Sequence, residues 1–455
     1  MQKLRQINYL GYMSGDIANN LAFSLQAMFL LIYYTNVVGL NPAPIGTMFL
    51  IVRVWDAFAD LLAGRLVDMT HSRWGKFRPY LLFVSLPLLL SSVALFTMPN
   101  FDSDTAKYVY AYFTYTLLGT LYSLVNIPYG SLATVMTQDP VERSRLGTYR
   151  SVGPMLTIFA IVLLVAPQIQ RLRGDSMALQ TFFTTLTLSF VVLGYALYLF
   201  CFFTARERIH HDVPPVTLRK TFETVRQNRP LLILCGSNLV FLMGVFAIQG
   251  VQAFYASYIL GGAGLMVPML GATTVASFCA VPLVPRIVAR IGKKRTFFIG
   301  GTGFAVVCVW IFFMPPVVPL FIATFFVLGL FQNMAMSLLF AFEADAVEYG
   351  QYVTGERTEG ATYAVYSFFR KVSQAIGGSM TAYALSLGGF NAALPVQSEG
   401  ALTAIRAAIG LGPALCALVG MLIFLPYPLT DTRLKEIVAV TRNREAEAAH
   451  AHGND

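Results

Sequence analysis

A series of long apolar stretches, recurring from one end of the chain to the other, is the feature that most constrains its fold. A stretch of about 20 apolar residues is long enough to cross a hydrocarbon layer of about 30 Å as a helix. Only 12% of the 455 residues are charged, about half of what soluble domains carry. The pattern predicts an all-α membrane protein with about twelve transmembrane helices. Clear spans or cores of spans are Ala22–Tyr34, Pro79–Met98, Phe182–Phe203, Thr296–Met314, Pro319–Phe340 and Ala401–Pro426.

Basic residues concentrate in alternate loops between these stretches, such as Gly64–Pro79, Thr204–Pro230 and Arg286–Arg295. The positive-inside rule therefore predicts a multi-pass membrane protein with both termini in the cytoplasm. The expected location is the bacterial inner membrane. The net charge of +9 is explained by these loops, so no nucleic-acid partner is expected. The expected partners are the lipid bilayer and a small-molecule substrate.

The longest polar connection, Thr204–Pro230, contains two adjacent prolines and divides the chain near its middle. We predict a six-helix bundle over residues 1–203, a cytoplasmic linker over 204–230, a second six-helix bundle over 231–428 and a cytoplasmic tail over 429–455. A basic turn follows the second span of each half, which is typical of the parallel repeats of the major facilitator fold.

Cysteine and histidine positions argue against an enzyme and against a resident metal or cofactor. The five cysteines are dispersed, and the five histidines lie in loops or in the tail. Neither a metal-ligand cluster nor a nucleophile with its base is recognisable. The basic start of the chain lacks the short apolar core and cleavage site of a signal peptide.

Ionisable residues within a span are costly and are functional hypotheses by default. Arg53, Asp56 and Asp60 lie in the span Ile45–Leu66 at spacings that place them on one helix face. Two carboxylates on one face repel each other unless they share a cation or a proton. The alternative is a structural ion pair, although one arginine cannot neutralise both acids.

Further polar residues occur on the first, fourth, fifth and eleventh spans. Asp16, Asn19 and Asn20 share a face of the first span, although Asp16 could also be a solvated charge near the membrane surface. Side-chain amides, hydroxyls and charges suit a sugar because they donate and accept hydrogen bonds at fixed positions. Helix-helix hydrogen bonding and interfacial anchoring explain any single one nearly as well. The others are Ser123 and Asn126 in the fourth span, Arg150 at the start of the fifth, Gln332 and Asn333 in the tenth, and Arg370 and Lys371 in the eleventh.

The sequence resembles the glycoside-pentoside-hexuronide:cation symporters, the melibiose-permease-like branch of the major facilitator superfamily. The motifs that carry the resemblance are LGYMSGDIANNLAFS, IVRVWDAFAD, SRWGKFRPY, NIPYGSL, FEADAVEYGQY and YAVYSFFRKVSQAIGG. They extend over nearly the whole chain. The resemblance implies a secondary active transporter that carries a sugar or glycoside together with H⁺ or Na⁺ by alternating access.

The resemblance also implies roles for individual residues. A cation site is expected at Asp56, Asp60 and Ser123, with Na⁺ as the one metal that could bind there. Substrate contacts are expected from Asp16, Asn126, Arg150 and Lys371, and the shared helix face adds Asn19 and Asn20.

Departures from melibiose permease bear on the cargo and on the ion. Asn126 replaces an acid, and Gly130 and Met336 replace tryptophans, which disfavours an α-galactoside. The pocket has lost a negative charge, so it is expected to accept a hexuronide or a sulfosugar. A neutral pentoside stays an alternative, as does full engagement of Arg150 and Lys371 by the acids. Ala59, between the two aspartates, offers no oxygen to sodium, which favours a proton; both ions stay open. An amphipathic solute such as a lysolipid is the alternative cargo.

The cytoplasmic loop Gly64–Pro79 carries Asp68, Arg73, Lys76 and Arg78. We predict that these residues cap helix ends and gate transport, whereas the alternative is a mere orientation signal. Asp68→Asn is expected to slow transport without changing membrane insertion. The functional unit is predicted to be a monomer.

Overall fold

Helices account for the regular structure of the chain in the part described by the computed structural model. The described residues are 4–137, 140–207, 227–354, 359–392, 394, 396–430, 433–434, 436–437 and 439–441. The helices are α1 Gln6–Ile32, α2 Pro42–Asp68, α3 Arg78–Phe83, α4 Ser85–Leu95, α5 Asp104–Met136, α6 Pro140–Arg171, α7 Ser176–Thr204, α8 Arg229–Phe254, α9 Met266–Ile291, α10 Lys293–Phe313, α11 Val318–Thr354, α12 Glu359–Leu387, α13 Glu399–Ile409 and α14 Leu411–Phe424. No strand occurs in these residues, and the all-α prediction is confirmed.

Local signals explain where several helices begin. The side chain of Asn41 accepts a hydrogen bond from the backbone N–H of Ala43 at 3.1 Å, and Pro42 opens α2. Asp175 caps α7 in the same way through Ala178 N–H at 2.9 Å. Such caps satisfy backbone donors that have no partner inside the helix.

A π-helical turn extends the first helix of each half of the sequence. Tyr33–Val37 follows α1, and Tyr255–Ile259 follows α8. A glycine with positive φ stands six residues after the first residue of each turn: Gly39 at φ 78° and Gly261 at φ 85°. Because glycine reaches this conformation without steric cost, the same local device ends both segments. The recurrence supports an internal repeat.

Eight helical segments in the described part of the chain are long and apolar enough to cross a membrane. They are Gln6–Val37, Arg145–Arg171, Ser176–Thr204, Arg229–Ile259, Ala263–Ala280, Lys293–Phe313, Val318–Val353 and Glu399–Phe424. The remaining predicted spans correspond to α2, α3 with α4, α5 and α12. Helix α2 carries four charged side chains between Arg53 and Arg65, which lowers its hydropathy. For these four segments membrane crossing stays a prediction.

The chain forms two compact units. The first comprises Met1–Val213, Gln249–Val267 and Gly378–Ile405. Within it, α1 packs against α6 and α7, and α2 packs against α5. Its aromatic core includes Tyr33, Phe96 and Phe183, of which the last two stack with ring centroids 5.3 Å apart.

The second unit comprises Pro214–Ile248, Pro268–Gly377 and Arg406–Asp455. Within it, α10 packs against α11 and α14. The buried rings of Phe424 and Tyr427 stack at 4.4 Å and adjoin Phe297. Lys293 pairs with Asp345. Residues 208–226 of the predicted linker and 442–455 of the predicted tail lie outside the described residues, and the bundle boundaries stay predictions.

Candidate functional site

Arg53 and Asp56 form a close ion pair on α2. Nη1 of Arg53 lies 3.0 Å from Oδ2 of Asp56, and only 12% and 8% of the two side chains are exposed. The arginine lies over the ring of Phe23 at 5.4 Å, and Phe23 stacks on Tyr122 of α5 at 5.0 Å. Both charges belong to one helix turn, so the pair does not depend on the arrangement of other helices.

The carboxylate of Asp56 rests directly on α5 at Gly119. A Cβ atom at position 119 would overlap with Oδ1 of Asp56, so only glycine leaves room for this approach. On the next helix turn, Asp60 is half-buried on α2, and Ser123 is buried on α5.

Helices α2 and α5 run parallel. Asn41 N–H donates to the Tyr108 hydroxyl at 3.0 Å, and Trp55 Nε1 donates to the Thr120 hydroxyl at 2.8 Å. Residue numbers increase along both helices from the first contact to the second, which shows that the two helices run in the same direction. One turn beyond the contact of Asp56 with Gly119, the Ser123 hydroxyl therefore lies at the level of Asp60.

Asp16 and Arg150 form a second acid–arginine pair, between α1 and α6. Nε of Arg150 lies 3.7 Å from Oδ1 of Asp16, and the exposed fractions are 37% for the arginine and 7% for the aspartate. The guanidinium also lies 5.4 Å from the ring centre of Tyr129. Helix α6 begins at Pro140 and its apolar span at Arg145, so Arg150 lies near the start of the span but inside the helix.

The amides near Asp16 have two different environments. Asn20 is half-buried, donates to the backbone oxygen of Asp16 at 2.9 Å and accepts from Ser24 at 3.1 Å. Asn19 is fully buried and accepts from the Tyr198 hydroxyl at 2.7 Å. In this structure Asn19 thus contacts α7 rather than an open surface.

One face of α5 connects the two acid–arginine pairs. Gly119, Ser123, Asn126 and Gly130 follow one another at spacings of four, three and four residues, which aligns them along one side of a helix. Gly119 contacts Asp56, and Gly130 lies beside the guanidinium of Arg150. Asn126, half-buried, lies between them. The face extends over about 16 Å at the α-helical rise per residue.

Lys371 belongs to the second unit, where it is half-buried within α12. The predicted substrate residues Asp16, Asn20, Asn126 and Arg150 all belong to the first unit. The role of Lys371 stays a prediction.

The predicted gating loop is attached to the end of α7. The carboxylate of Glu207 accepts the backbone N–H groups of Lys76, Phe77 and Arg78 at 2.7–3.0 Å. Nε of Arg78 donates to the backbone oxygen of Phe202 at 3.0 Å. The start of α3 is thus capped by Glu207, an acid outside the loop that the sequence reading missed, while Arg78 contacts a backbone oxygen in the last turn of α7.

Other residues of this loop have more local contacts. Arg73 lies over the ring of its neighbour Trp74 at 4.3 Å. The side chain of Asp68, the last residue of α2, lies outside the described part of the chain. The gating role of this loop stays a prediction.

No group of three or more histidine, cysteine, aspartate or glutamate side chains that could hold a metal ion occurs among the described residues. The acids described above can instead bind a proton or a single alkali cation, while Arg150 and the nearby amides can hydrogen-bond a polar solute.

The chain is similar to known membrane transporters over nearly its whole length. The model of the MFS/sugar transport protein family matches residues 11–431. A glucuronide carrier protein homolog of Escherichia coli (strain K12) is 44% identical over 448 residues, 98% of this chain and 97% of the relative. A putative glycoside/cation symporter of the same strain is 30% identical over 444 residues, 96% and 95% of the two chains.

A solved structure supports the fold alone. A bacterial homolog of the human lysosomal transporter Spinster, in an inward-facing and unoccupied conformation, matches with a TM-score of 0.65 at 13% identity. The match covers 94% of this chain and 100% of the other.

These similarities confirm the resemblance drawn from the motifs, the major facilitator fold, and the expectation that the chain is a transporter rather than an enzyme. The chain belongs to the MFS/sugar transport protein family, in its glycoside-pentoside-hexuronide-like branch.

Proposed function

We propose that this protein is a proton-coupled symporter that carries a glycoside bearing an acidic sugar, of the hexuronide class, across the bacterial inner membrane. Asp56, Asp60 and Ser123 are the proposed cation residues. Asp16, Asn20, Asn126 and Arg150, all in the first unit, are the proposed substrate residues, with Asn19 in support. The protein works by alternating access as a monomer, with both termini in the cytoplasm.

One observation carries the proposal. A single face of α5 touches the Arg53–Asp56 pair at Gly119 and adjoins the Asp16–Arg150 pair at Gly130. In a symporter the affinity for the substrate must depend on the bound cation. This requires a structural element whose position is changed by ligand binding at either site. A displacement of α5 on protonation of the acids changes the surroundings of Arg150, so this helix can supply that link.

Recognition of an acidic sugar is supported by the charge near Arg150. An arginine offers a planar fork of donors that fits a carboxylate, and such charge-assisted bonds are about twice as strong as neutral ones. Arg150 pairs with Asp16 through Nε at 3.7 Å, and 37% of the arginine side chain is exposed, so part of its guanidinium is accessible. The relative that is 44% identical is named as a homolog of a glucuronide carrier.

Coupling to protons rather than to sodium is supported by the surroundings of the acids. Sodium is a hard cation that needs several oxygen ligands, and Ala59, buried between Asp56 and Asp60 along α2, supplies none from its side chain. A proton requires a single carboxylate. The relative named as a putative glycoside/cation symporter supports ion coupling without specifying the ion.

Uptake into proteoliposomes tests the proposal. We would compare 4-nitrophenyl β-glucuronide with 4-nitrophenyl β-glucoside, which differ only at C6, under a pH gradient or a sodium gradient imposed separately. One proton and one carboxylate move no net charge, so the pH gradient rather than the membrane potential should drive glucuronide uptake. One pH unit should give about tenfold accumulation at 1:1 stoichiometry.

Accumulation driven by sodium alone would overturn the proton assignment and leave the sugar class intact. Transport of a lysolipid with no uptake of either glycoside would overturn the sugar class.

A further inference from the structure

A small cleft, open to solvent, lies at the ends of three helical segments of the first unit. The space within it is about 290 Å³. Its polar lining comes from Asn36 in the π-helical turn after α1, from Gln170 and Arg173 at and just beyond the end of α6, and from Ser257 and Tyr258 in the π-helical turn after α8. Residues that are distant in the sequence therefore meet here within one compact unit.

The cleft is separate from the proposed substrate residues. Gln170 and Arg150 both belong to α6, and Gln170 follows Arg150 by 20 residues. This spacing corresponds to about 30 Å at the α-helical rise. The volume of the cleft lies at the lower end of the range for ligand pockets, so it suits a small ion rather than a whole glycoside.

Arg173 brings a positive charge to this cleft without an acid beside it. Its guanidinium lies over the ring of Tyr258 at 5.1 Å, and Nη1 donates to the backbone oxygen of Ser257 at 3.5 Å, the upper limit for a hydrogen bond. The side chain is exposed, and within the described part of the chain no carboxylate forms an ion pair with it. Arginine carries five N–H donors, so the other N–H groups of Arg173 can reach a ligand.

The neighbouring polar groups also offer donors. The hydroxyl of Ser257, a residue that is only 6% exposed, has no hydrogen-bond partner among the described residues. The Tyr258 hydroxyl accepts from Nδ2 of Asn36, which leaves its own proton available. Oε1 of Gln170 accepts the backbone N–H of Gly264 at 3.1 Å, which leaves the amide nitrogen to donate. A buried hydroxyl without a partner costs free energy unless a ligand or a water completes it.

We propose that this cleft binds a small oxyanion, of the size and charge of a carboxylate, through Arg173, Ser257 and Tyr258. Donors that converge beside an unpaired arginine favour an anion, and the arginine gives it charge-assisted hydrogen bonds. Phe390 packs edge-on against Tyr258 with ring centroids 5.2 Å apart, which fixes the tyrosine in place. A bound oxyanion would hold together the segments that meet at the cleft. The inference goes beyond the proposed function and does not depend on it.

Thermal unfolding of the detergent-purified full-length protein tests this site. The melting temperature would be measured during titration with sodium acetate, against sodium chloride at the same ionic strength. Acetate should raise it saturably beyond chloride. Arg173→Gln should weaken the apparent Kd for acetate about tenfold or more, and Ser257→Ala about twofold to tenfold, because a charged and a neutral hydrogen bond are lost. Arg171→Gln, at an exposed arginine of the same helix end outside the cleft, is the matched control and should leave the response unchanged.

Two further arms separate this cleft from the substrate residues and identify the source of the anion. The loss caused by Arg173→Gln should persist in an Arg150→Gln background, where the proposed substrate arginine is absent. If that double variant does not fold, the comparison in the wild-type background decides. Equal affinity for sodium acetate and sodium glucuronate would identify a free carboxylate as sufficient, whereas tighter binding of glucuronate would identify a sugar acid as the source.

No response to acetate beyond that to chloride would overturn the proposal. The same response in wild type and Arg173→Gln, or an equal loss in Arg171→Gln and Arg173→Gln, would also overturn it, since the effect would then be one of general surface charge. A wild type that transports neither glycoside contradicts the proposed function and leaves the anion site unaffected.

Discussion

The two acid–arginine pairs of the first unit differ in geometry and in what holds them. Arg53 and Asp56 lie 3.0 Å apart on one helix and are nearly buried. Asp16 and Arg150 lie 3.7 Å apart on two helices, with the arginine 37% exposed. A pair within one helix turn persists when helices move, whereas a pair between helices responds to their displacement and to a ligand. The first arrangement suits a cation site and the second a substrate site.

Removal of a carboxylate beside the close pair should give the largest effect. Asp60→Asn is expected to abolish uphill accumulation, so that the ratio of internal to external substrate concentration stays near one. Exchange of substrate across the membrane should continue. An amide cannot take part in the paired negative site whose occupancy drives the conformational change. Uphill uptake and counterflow in the same proteoliposomes measure the two properties. Asp104→Asn, at a side chain that is 74% exposed, is the matched control and should behave as wild type.

Full uphill accumulation by both Asp56→Asn and Asp60→Asn would show that the cation site does not lie on α2.

Neutralisation of Arg150 in the Asp16–Arg150 pair should affect the choice of substrate more than the coupling of transport to protons. Arg150→Gln is expected to weaken glucuronide binding by about tenfold to a hundredfold, since a hydrogen bond to a charged group contributes about 1.5–3 kcal/mol. The neutral glucoside should lose less. Competition between the two glycosides in uptake assays measures the difference. If Arg150→Gln weakens both to the same extent, Arg150 does not recognise the carboxylate.

A methyl group at Gly119 should disturb the close pair without removing any charge. Gly119→Ala forces Oδ1 of Asp56 away from α5, because the added Cβ would overlap with it. We expect accumulation to fall several-fold, with the pH dependence of transport shifted. In Gly271→Ala, where nothing lies within 4 Å of an added Cβ, transport should be unchanged. Wild-type accumulation by Gly119→Ala would show that the position of Asp56 is not critical.

The smallest effect is expected outside the two pairs, at the loop held by Glu207. Glu207→Ala leaves three backbone N–H groups without their acceptor, at a cost of about 1–3 kcal/mol to the attachment of the loop if these groups are not rehydrated. Trypsin should cleave faster at Arg73 and Lys76, while glycoside uptake slows only a few-fold. Unchanged cleavage and unchanged uptake would show that the contact does not restrain the loop.

Sequence reasoning succeeded where the contact lies within one helix. The Arg53–Asp56 pair follows from a spacing of three residues, and the face shared by Asp16 and Asn20 follows from a spacing of four. The all-α membrane fold follows from apolar length. These features need no knowledge of how helices pack.

Contacts between distant parts of the chain could not be predicted in this way. Glu207 and Lys76 are separated by 131 residues, and Tyr198 and Asn19 by 179. Gly119 looks like any helical glycine until α2 is packed against it. Its spacing to Ser123 and Asn126 was the one available signal, and it identifies a helix face but not the partner of that face.

The central claim is that the acids of α2 couple transport to protons, whereas the Asp16–Arg150 pair selects the substrate. Proton uptake, measured with a pH-sensitive dye inside proteoliposomes, tests this claim most directly. Wild type should acidify the interior when either 4-nitrophenyl glycoside is added outside. Asp60→Asn should carry the glucuronide down its gradient without acidification, and Arg150→Gln should acidify the interior with the glucoside but lose most of the response to the glucuronide. If both variants lose substrate selection and proton uptake together, the acids of α2 and the Asp16–Arg150 pair form one site. The assignment of coupling to the first and selection to the second would then be wrong.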